Sequence, residues 1–102
     1  MKRKPSRPFK DTSNELLKDP NVAAMYLEEI LADGDMELFK LALKNVADAR
    51  LGGMTELAKC TNLTREALYT SLSKKGNPRF DTLNQVLHAV GLRLSVTPEI
   101  TQ

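Results

Sequence analysis

An all-α fold is the expectation from this sequence, on three observations. Apolar residues recur at three- and four-residue spacing through most of the chain, aspartate or threonine stands where such stretches begin, and glycine stands where several of them end. A chain of 102 residues is one domain's worth and can hold one modest core. The aromatics are Phe9, Tyr26, Phe39, Tyr69 and Phe80 alone, so that core has to be Leu, Val, Ala and Met packed between helices.

Residues 1–14 carry Pro5, Pro8 and many polar groups and read as a flexible basic arm ahead of a single domain over 15–102. Leu16 and Leu17 fit a short turn, a helical extension at the N-terminal side of the domain. Asp19 then caps a first long helix, with Pro20 at the first helical position, where its missing N–H costs nothing. Ala23, Tyr26, Leu27, Ile30 and Leu31 share one face of it, and Gly34 supplies a left-handed end. Asp35 caps a second helix whose stripe is Met36, Phe39, Ala42, Leu43, Val46 and Ala47. Leu38 and Leu41 widen that stripe, which predicts contact with more than one neighbour before Gly52-Gly53 ends it. Two short helices follow, Thr55 to Cys60 and Arg65 to Leu72, then a loop from Ser73 to Arg79 holding Gly76-Asn77-Pro78. Asp81 is the expected cap of a fifth helix, Thr82 to Val90, with Leu83, Val86, Leu87 and Val90 inside and Gly91 at its end.

Leu92, Leu94 and Val96 alternate with Arg93, Ser95 and Thr97, which is strand periodicity, and Pro98 stops it. A lone strand leaves backbone groups unpaired. Pairing the strand of Leu92, Leu94 and Val96 with the same strand of a second copy would satisfy both, so a two-fold homodimer is expected. The alternative is an extended tail packed on the helices.

Charge is distributed unevenly. Residues 1–10 carry five basic residues (Lys2, Arg3, Lys4, Arg7, Lys10) and no acidic one. Residues 11–50 carry nine acidic and four basic residues, and residues 51–102 six basic and four acidic, which leaves a net charge of +2. Such asymmetry fits two surfaces with different partners, and equally a solvated tail with solvated helix faces. One cysteine (Cys60) and one histidine (His88) make neither an internal disulfide nor a metal cluster, and no cofactor is implied. No apolar run reaches the length of a membrane span, and none follows the basic N-terminus as in a signal peptide, so the expected location is the cytoplasm.

The segment from Leu57 to Leu72 carries the function. Two short helices that cross steeply need a small residue where they touch, and Ala58 supplies it. The turn between them needs a residue tolerant of positive φ, and Asn62 stands four residues later. Leu57, Leu63, Leu68 and Leu72 give the shared core, and Thr64 can cap the second helix through its hydroxyl. Together these choices describe a helix-turn-helix whose second helix reads the major groove. Its outward residues are candidate base contacts. Arg65 can bond guanine twice, Glu66 can accept from a cytosine amino group, Thr70 can meet a base edge or thymine methyl, and Tyr69 can reach a base or phosphate. Lys59, Thr64, Lys74, Lys75, Asn77 and Arg79 flank this face as candidate phosphate contacts. An ordinary helical hairpin with a solvated basic rim is the competing reading of the pattern alone.

From about Ala23 to Pro98 the sequence resembles the bacterial addiction module antidote proteins, antitoxins of type II toxin–antitoxin pairs related to phage-repressor-like helix-turn-helix domains. The matching residues are Asp33-Gly34-Asp35, Leu57-Ala58-Lys59, the run Leu63 to Tyr69, the loop Gly76-Asn77-Pro78 and Gly91 to Val96. Arg3 to Phe9 and Tyr26-Leu27 match more weakly. Asn62 stands where glycine is usual, and asparagine can adopt the same turn. The resemblance implies a lambda-repressor-like domain of about five helices, repression of the protein's own operon, and neutralisation of a small basic toxin of the RelE/HigB-like, RNA-cleaving class. The DNA partner would be an inverted-repeat operator bound by the dimer. A stand-alone prophage-type repressor without a toxin is the alternative. An enzyme has no support, since no nucleophile stands with a base and no phosphate-binding loop occurs.

The remaining residues have plain readings. Cys60 is expected as a small core residue, His88 as a surface or half-buried residue, and Met25, Met36 and Met54 as packing residues. Glu28 and Glu29 diverge by about 100° on a helix and do not form an acid pair.

Overall fold

Two aspartates and two glycines set the boundaries of the first half of the fold. In the computed structural model, which describes residues 14–100, the Asp19 carboxylate accepts a 2.8 Å hydrogen bond from the Asn21 amide and opens α1 (Pro20–Asp33) with proline in its first turn. Gly34, at φ 77°, closes it by donating its amide to the Ile30 and Leu31 carbonyls. One residue later the Asp35 carboxylate accepts from the Leu38 amide at 3.0 Å and opens α2 (Met36–Leu51), which ends at Gly52, φ 100°. So short a connection turns α2 back against α1. Three shorter helices follow: α3 (Met54–Lys59), α4 (Arg65–Ser71) and α5 (Phe80–Ala89). Residues 14–17 are helical ahead of α1, and Leu17 is buried, in line with a helical extension. The basic arm expected over 1–14 lies, but for its last residue, outside the described residues.

The core is one cluster to which every helix contributes. Ala23, Leu27 and Ile30 come from α1, and Phe39, Ala42, Leu43, Val46 and Ala47 from α2. Leu57 comes from α3, Leu68 and Leu72 from α4 and the residue that ends it, and Val86, Leu87 and Val90 from α5 and its end. The helix α2 is the centre of this arrangement, packed on α1 along one side and on α3 along another, with α4 resting on α3. Arg50, at the end of α2, gathers two other segments. Its Nε donates to the Val90 carbonyl and its Nη1 to the Lys18 carbonyl, both at 2.5 Å. Gly91 lets the chain pass beside that guanidinium at φ 89°, where a Cβ would sit 3.0 Å from the nearer nitrogen.

The all-α class stands, with corrections. Leu92, Leu94 and Val96 form no strand. A ladder needs a partner strand, and the described residues offer none. The Leu92 amide instead donates to the Leu87 carbonyl at 2.8 Å, and Leu92 and Leu94 pack half-buried on the helices as an extended tail. Val96 lies past the reach of the core and is 98 % exposed, so the alternation marks two anchoring residues and a free one. Leu38 and Leu41 do not widen the buried stripe. Both are exposed, as are Leu31, Met25 and Met36, because helix neighbours cover only the inner faces of α1 and α2. Cys60 is exposed because the chain leaves α3 there and turns the thiol outward. Asp81 is not the cap of α5. Arg79 stands at that position without a side-chain cap, and Asp81 lies in the first turn, where a carboxylate meets the positive end of the helix.

The contrast within α2 gives a direct check. Replacing the fully buried Leu43 with alanine should cost about 2–5 kcal/mol in urea unfolding, by lost transfer energy plus a cavity. Replacing Leu41, two residues away and half exposed, should change stability by less than about 0.5 kcal/mol. Equal losses from the two variants would contradict the assignment of the inner face.

Candidate nucleic-acid interface

The pair α3–α4 is held by small polar ties as well as by leucine. Leu57 and Leu68 are fully buried, and Ala58 and Leu63 pack half-buried beside them. In the intervening turn the Thr61 hydroxyl donates to the Ala58 carbonyl at 3.3 Å and accepts from the Leu63 amide at 3.2 Å. The Asn62 amide donates to Gln85 Oε1 at 3.1 Å, so a side chain of α5 holds the turn from outside. The Thr64 hydroxyl accepts from the Ala67 amide at 3.0 Å and caps α4, as its position in the sequence predicts. That bond uses one lone pair and leaves the hydroxyl hydrogen available to an external acceptor.

With Leu68 and Leu72 turned inward, α4 presents Arg65, Glu66, Tyr69 and Thr70 to solvent. The four candidate base-contact residues therefore share one accessible surface. Arg65 lies back over its neighbour, with its guanidinium carbon 5.9 Å from the Tyr69 ring centroid and Nη1 3.4 Å from the Thr55 hydroxyl. A cation over a ring is held by the ring quadrupole, which gives an exposed arginine a preferred orientation at small cost. Glu66 and Thr70 line a shallow depression with Thr64, Ala67 and Ser71.

The flanking residues are less uniform than the sequence implies. Lys74, Lys75 and Asn77 are exposed on the loop after α4. Lys59 pairs with Glu56 at 3.4 Å and Arg79 with Asp81 at 3.2 Å, both on the surface. The hydrogen bond from Arg79 holds the Asp81 carboxyl below its ordinary range. Exposed pairs of this kind are weak and readily exchanged for a stronger anion. Leu92, Leu94 and Val96, the expected pairing strand, belong to the tail and not to this surface.

Two residues that hold this region are missing from the sequence reading. Gln85 gives no signal, because a polar residue partway up an amphipathic helix looks solvated. Lys40 gives one: it stands in the buried register of α2, three residues before Leu43 and seven before Ala47. It is only 4 % exposed, and its Nζ donates to the Ser73, Lys74 and Gly76 carbonyls at 2.7, 3.0 and 2.6 Å. Gly76 packs against the end of α4 so closely that a Cβ would collide with the Thr70 carbonyl and sit 2.7 Å from that of Ser71.

Comparison with known proteins gives a family and no structural relative. A family model described as "Probable addiction module antidote protein" matches residues 8–98. A protein of Haemophilus influenzae described only as uncharacterized is 38 % identical over 91 residues, covering 80 % of this chain and 92 % of the relative. No solved structure matches.

The cap on α4 supplies a local check. Thr64→Ala should cost about 0.5–2 kcal/mol in urea unfolding, and Thr64→Ser should retain most of that stability. A serine variant as unstable as the alanine variant would show that the hydroxyl is not what closes the helix.

Proposed function

The chain belongs to the addiction module antidote family, and from that premise we propose an antitoxin that also binds its own operator DNA. Membership gives the protein an antitoxin role in general and a toxin as its partner. The finer reading is that α3 and α4 act as a lambda-repressor-like helix-turn-helix. Arg65, Glu66, Tyr69 and Thr70 meet base edges in the major groove, and Lys59, Thr64, Lys74, Lys75, Asn77 and Arg79 meet phosphates. The observation that carries it is the shared exposure of four residues along one face of a capped helix, with Arg65 and Glu66 in its first turn, where a recognition helix makes its main base contacts, and Tyr69 and Thr70 one turn on.

The toxin in this reading is a small basic nuclease of the RelE/HigB-like class, and the protein represses its own operon. The excess of carboxylates over residues 11–50 supports a basic partner. The DNA-bound form is a homodimer on an inverted repeat with half-sites about 34 Å apart or a multiple of that turn. Support for a second copy comes from the apolar Val96 and Ile100, which one chain leaves uncovered.

Fluorescence anisotropy on the duplex just upstream of the gene tests the DNA reading, with a scrambled duplex as control. Arg65→Ala should lose about 1–3 kcal/mol on the specific site and little on the control. Equal, weak binding to both duplexes, unaffected by the substitution, would remove the sequence-specific role. Co-expression with a small basic open reading frame beside the gene tests the other half: the toxin's growth arrest should be relieved and the two proteins should co-purify.

A further inference from the structure

We infer that Lys40 is a positioning residue for DNA binding: from inside α2 it fixes the loop that carries Lys74 and Lys75 against the end of the α4 helix. The inference rests on the DNA-binding reading and adds to it a residue that faces away from the DNA.

The geometry is unusual for a lysine. A side chain of this kind normally keeps its ammonium in water and is fully buried only when paired. Lys40 is among the most buried polar residues described, it makes no ion pair among the described residues, and its three N–H donors are matched by three carbonyls within 3.0 Å. All three belong to one four-residue stretch, Ser73 to Gly76, immediately after α4. Those carbonyls converge because the chain curls around the end of α4. Ser73 and Gly76 donate their amides to the Thr70 and Ser73 carbonyls, and Gly76 presses on the last turn where no side chain fits. Convergent carbonyl dipoles repel one another, and the negative end of the α4 dipole adds to that repulsion. One cation at their focus removes it. The curl is thus stable with Lys40 in place and strained without it.

The consequence for DNA is positional. Lys74 and Lys75 are exposed on this curl, at the opposite end of α4 from Arg65 and Glu66. Phosphates along a groove lie at fixed spacing, so loop cations add to affinity only when the loop holds them at a fixed distance from the base-reading residues. Lys40 fixes that distance and contributes nothing to base choice. Its loss therefore weakens the salt-dependent part of binding and spares the sequence-dependent part.

The full chain, its Lys40→Met variant and its Gly76→Ala variant are titrated with operator and scrambled duplexes across a salt series, well below their melting temperatures. Gly76→Ala displaces the same curl, and one of the Lys40 acceptors with it, while the lysine itself is retained, and it tests the inference if Lys40→Met does not fold. Both variants should lower the slope of log affinity against log salt by about one to two, the equivalent of one or two phosphate contacts. Their operator-to-scrambled ratio should stay within about threefold of the parent. A purely structural role would lower the melting temperature and leave the slope of the folded protein unchanged, and that result overturns the inference. Hydrogen exchange provides a readout that needs no DNA: the Ser73 and Gly76 amides should exchange at least tenfold faster in Lys40→Met, with the α1 and α2 amides unchanged. Unchanged exchange at those amides overturns the inference whatever the DNA does. Faster exchange in a protein whose parent fails to distinguish the duplexes overturns the DNA-binding reading, and the role of Lys40 in DNA binding falls with it.

Discussion

The burial of Leu57, Leu68 and Leu72 in the cluster centred on α2 is the contact on which the exposed surface depends. Six residues of α3 and seven of α4 are far below the length at which a helix survives alone in water. They exist as helices because one or two leucines in each reach a core already assembled by α1 and α2, the two longest helices. The candidate interface is accordingly not an independent motif resting on a scaffold. Its outward residues are fixed by what its inward ones touch, and a shift of α2 would be felt at Arg65 through Leu57 and Leu68.

Electrostatics is divided in a way that keeps charge out of the core except at Lys40. The ion pairs among the described residues are local and exposed, joining Lys18 with Glu15, Lys59 with Glu56 and Arg79 with Asp81, so none ties one helix to another. Apart from the Asn45 side-chain amide, which donates to the Tyr26 hydroxyl at 3.4 Å, the long-range polar ties described run between a side chain and backbone. Arg50 reaches the Lys18 and Val90 carbonyls, Lys40 reaches three carbonyls after α4, and Gln85 reaches the Asn62 amide. Backbone groups at the ends of short helices lack intrahelical partners and must find others. A fold made of short helices has many such ends. It satisfies them here with long side chains from neighbouring elements and with the caps Asp19, Asp35 and Thr64.

The order of the helices was legible in the sequence because its punctuation is strong. Asp19-Pro20, Gly34-Asp35 and Gly52-Gly53 each act within their own few residues, so nothing distant had to be known to read them. The tail was misread for the opposite reason. Alternation at Leu92, Leu94 and Val96 is a local pattern, whereas a strand is a relation between two segments, and a pattern fitting a half-buried strand fits equally an extended tail anchored by two leucines. Leu38 and Leu41 failed similarly: apolar character was local, but the neighbour that would cover them was assumed.

The site divides along the same line. Arg65, Glu66, Tyr69 and Thr70 could be read as outward because Leu68 and Leu72 fix the inward direction of a helix whose cap, Thr64, fixes its start. Gln85 could not, since its partner lies 23 residues away. Lys40 stands between these cases. Phe39, Leu43, Val46 and Ala47 define a buried stripe in which a lysine is out of character, and burying a cation costs far more than a missing methyl group unless partners wait for it. A cation inside an apolar register is therefore a stronger statement about the neighbouring chain than an apolar residue would be. It requires a group of acceptors that no regular helix provides along its side, because the carbonyls there are already bonded, and so it points to a helix end or a tight curl. Among the described residues the only long loop between short helices is the one holding Gly76-Asn77-Pro78. The polar residue within the stripe and the glycine within the loop are two halves of one constraint, each readable only in the light of the other.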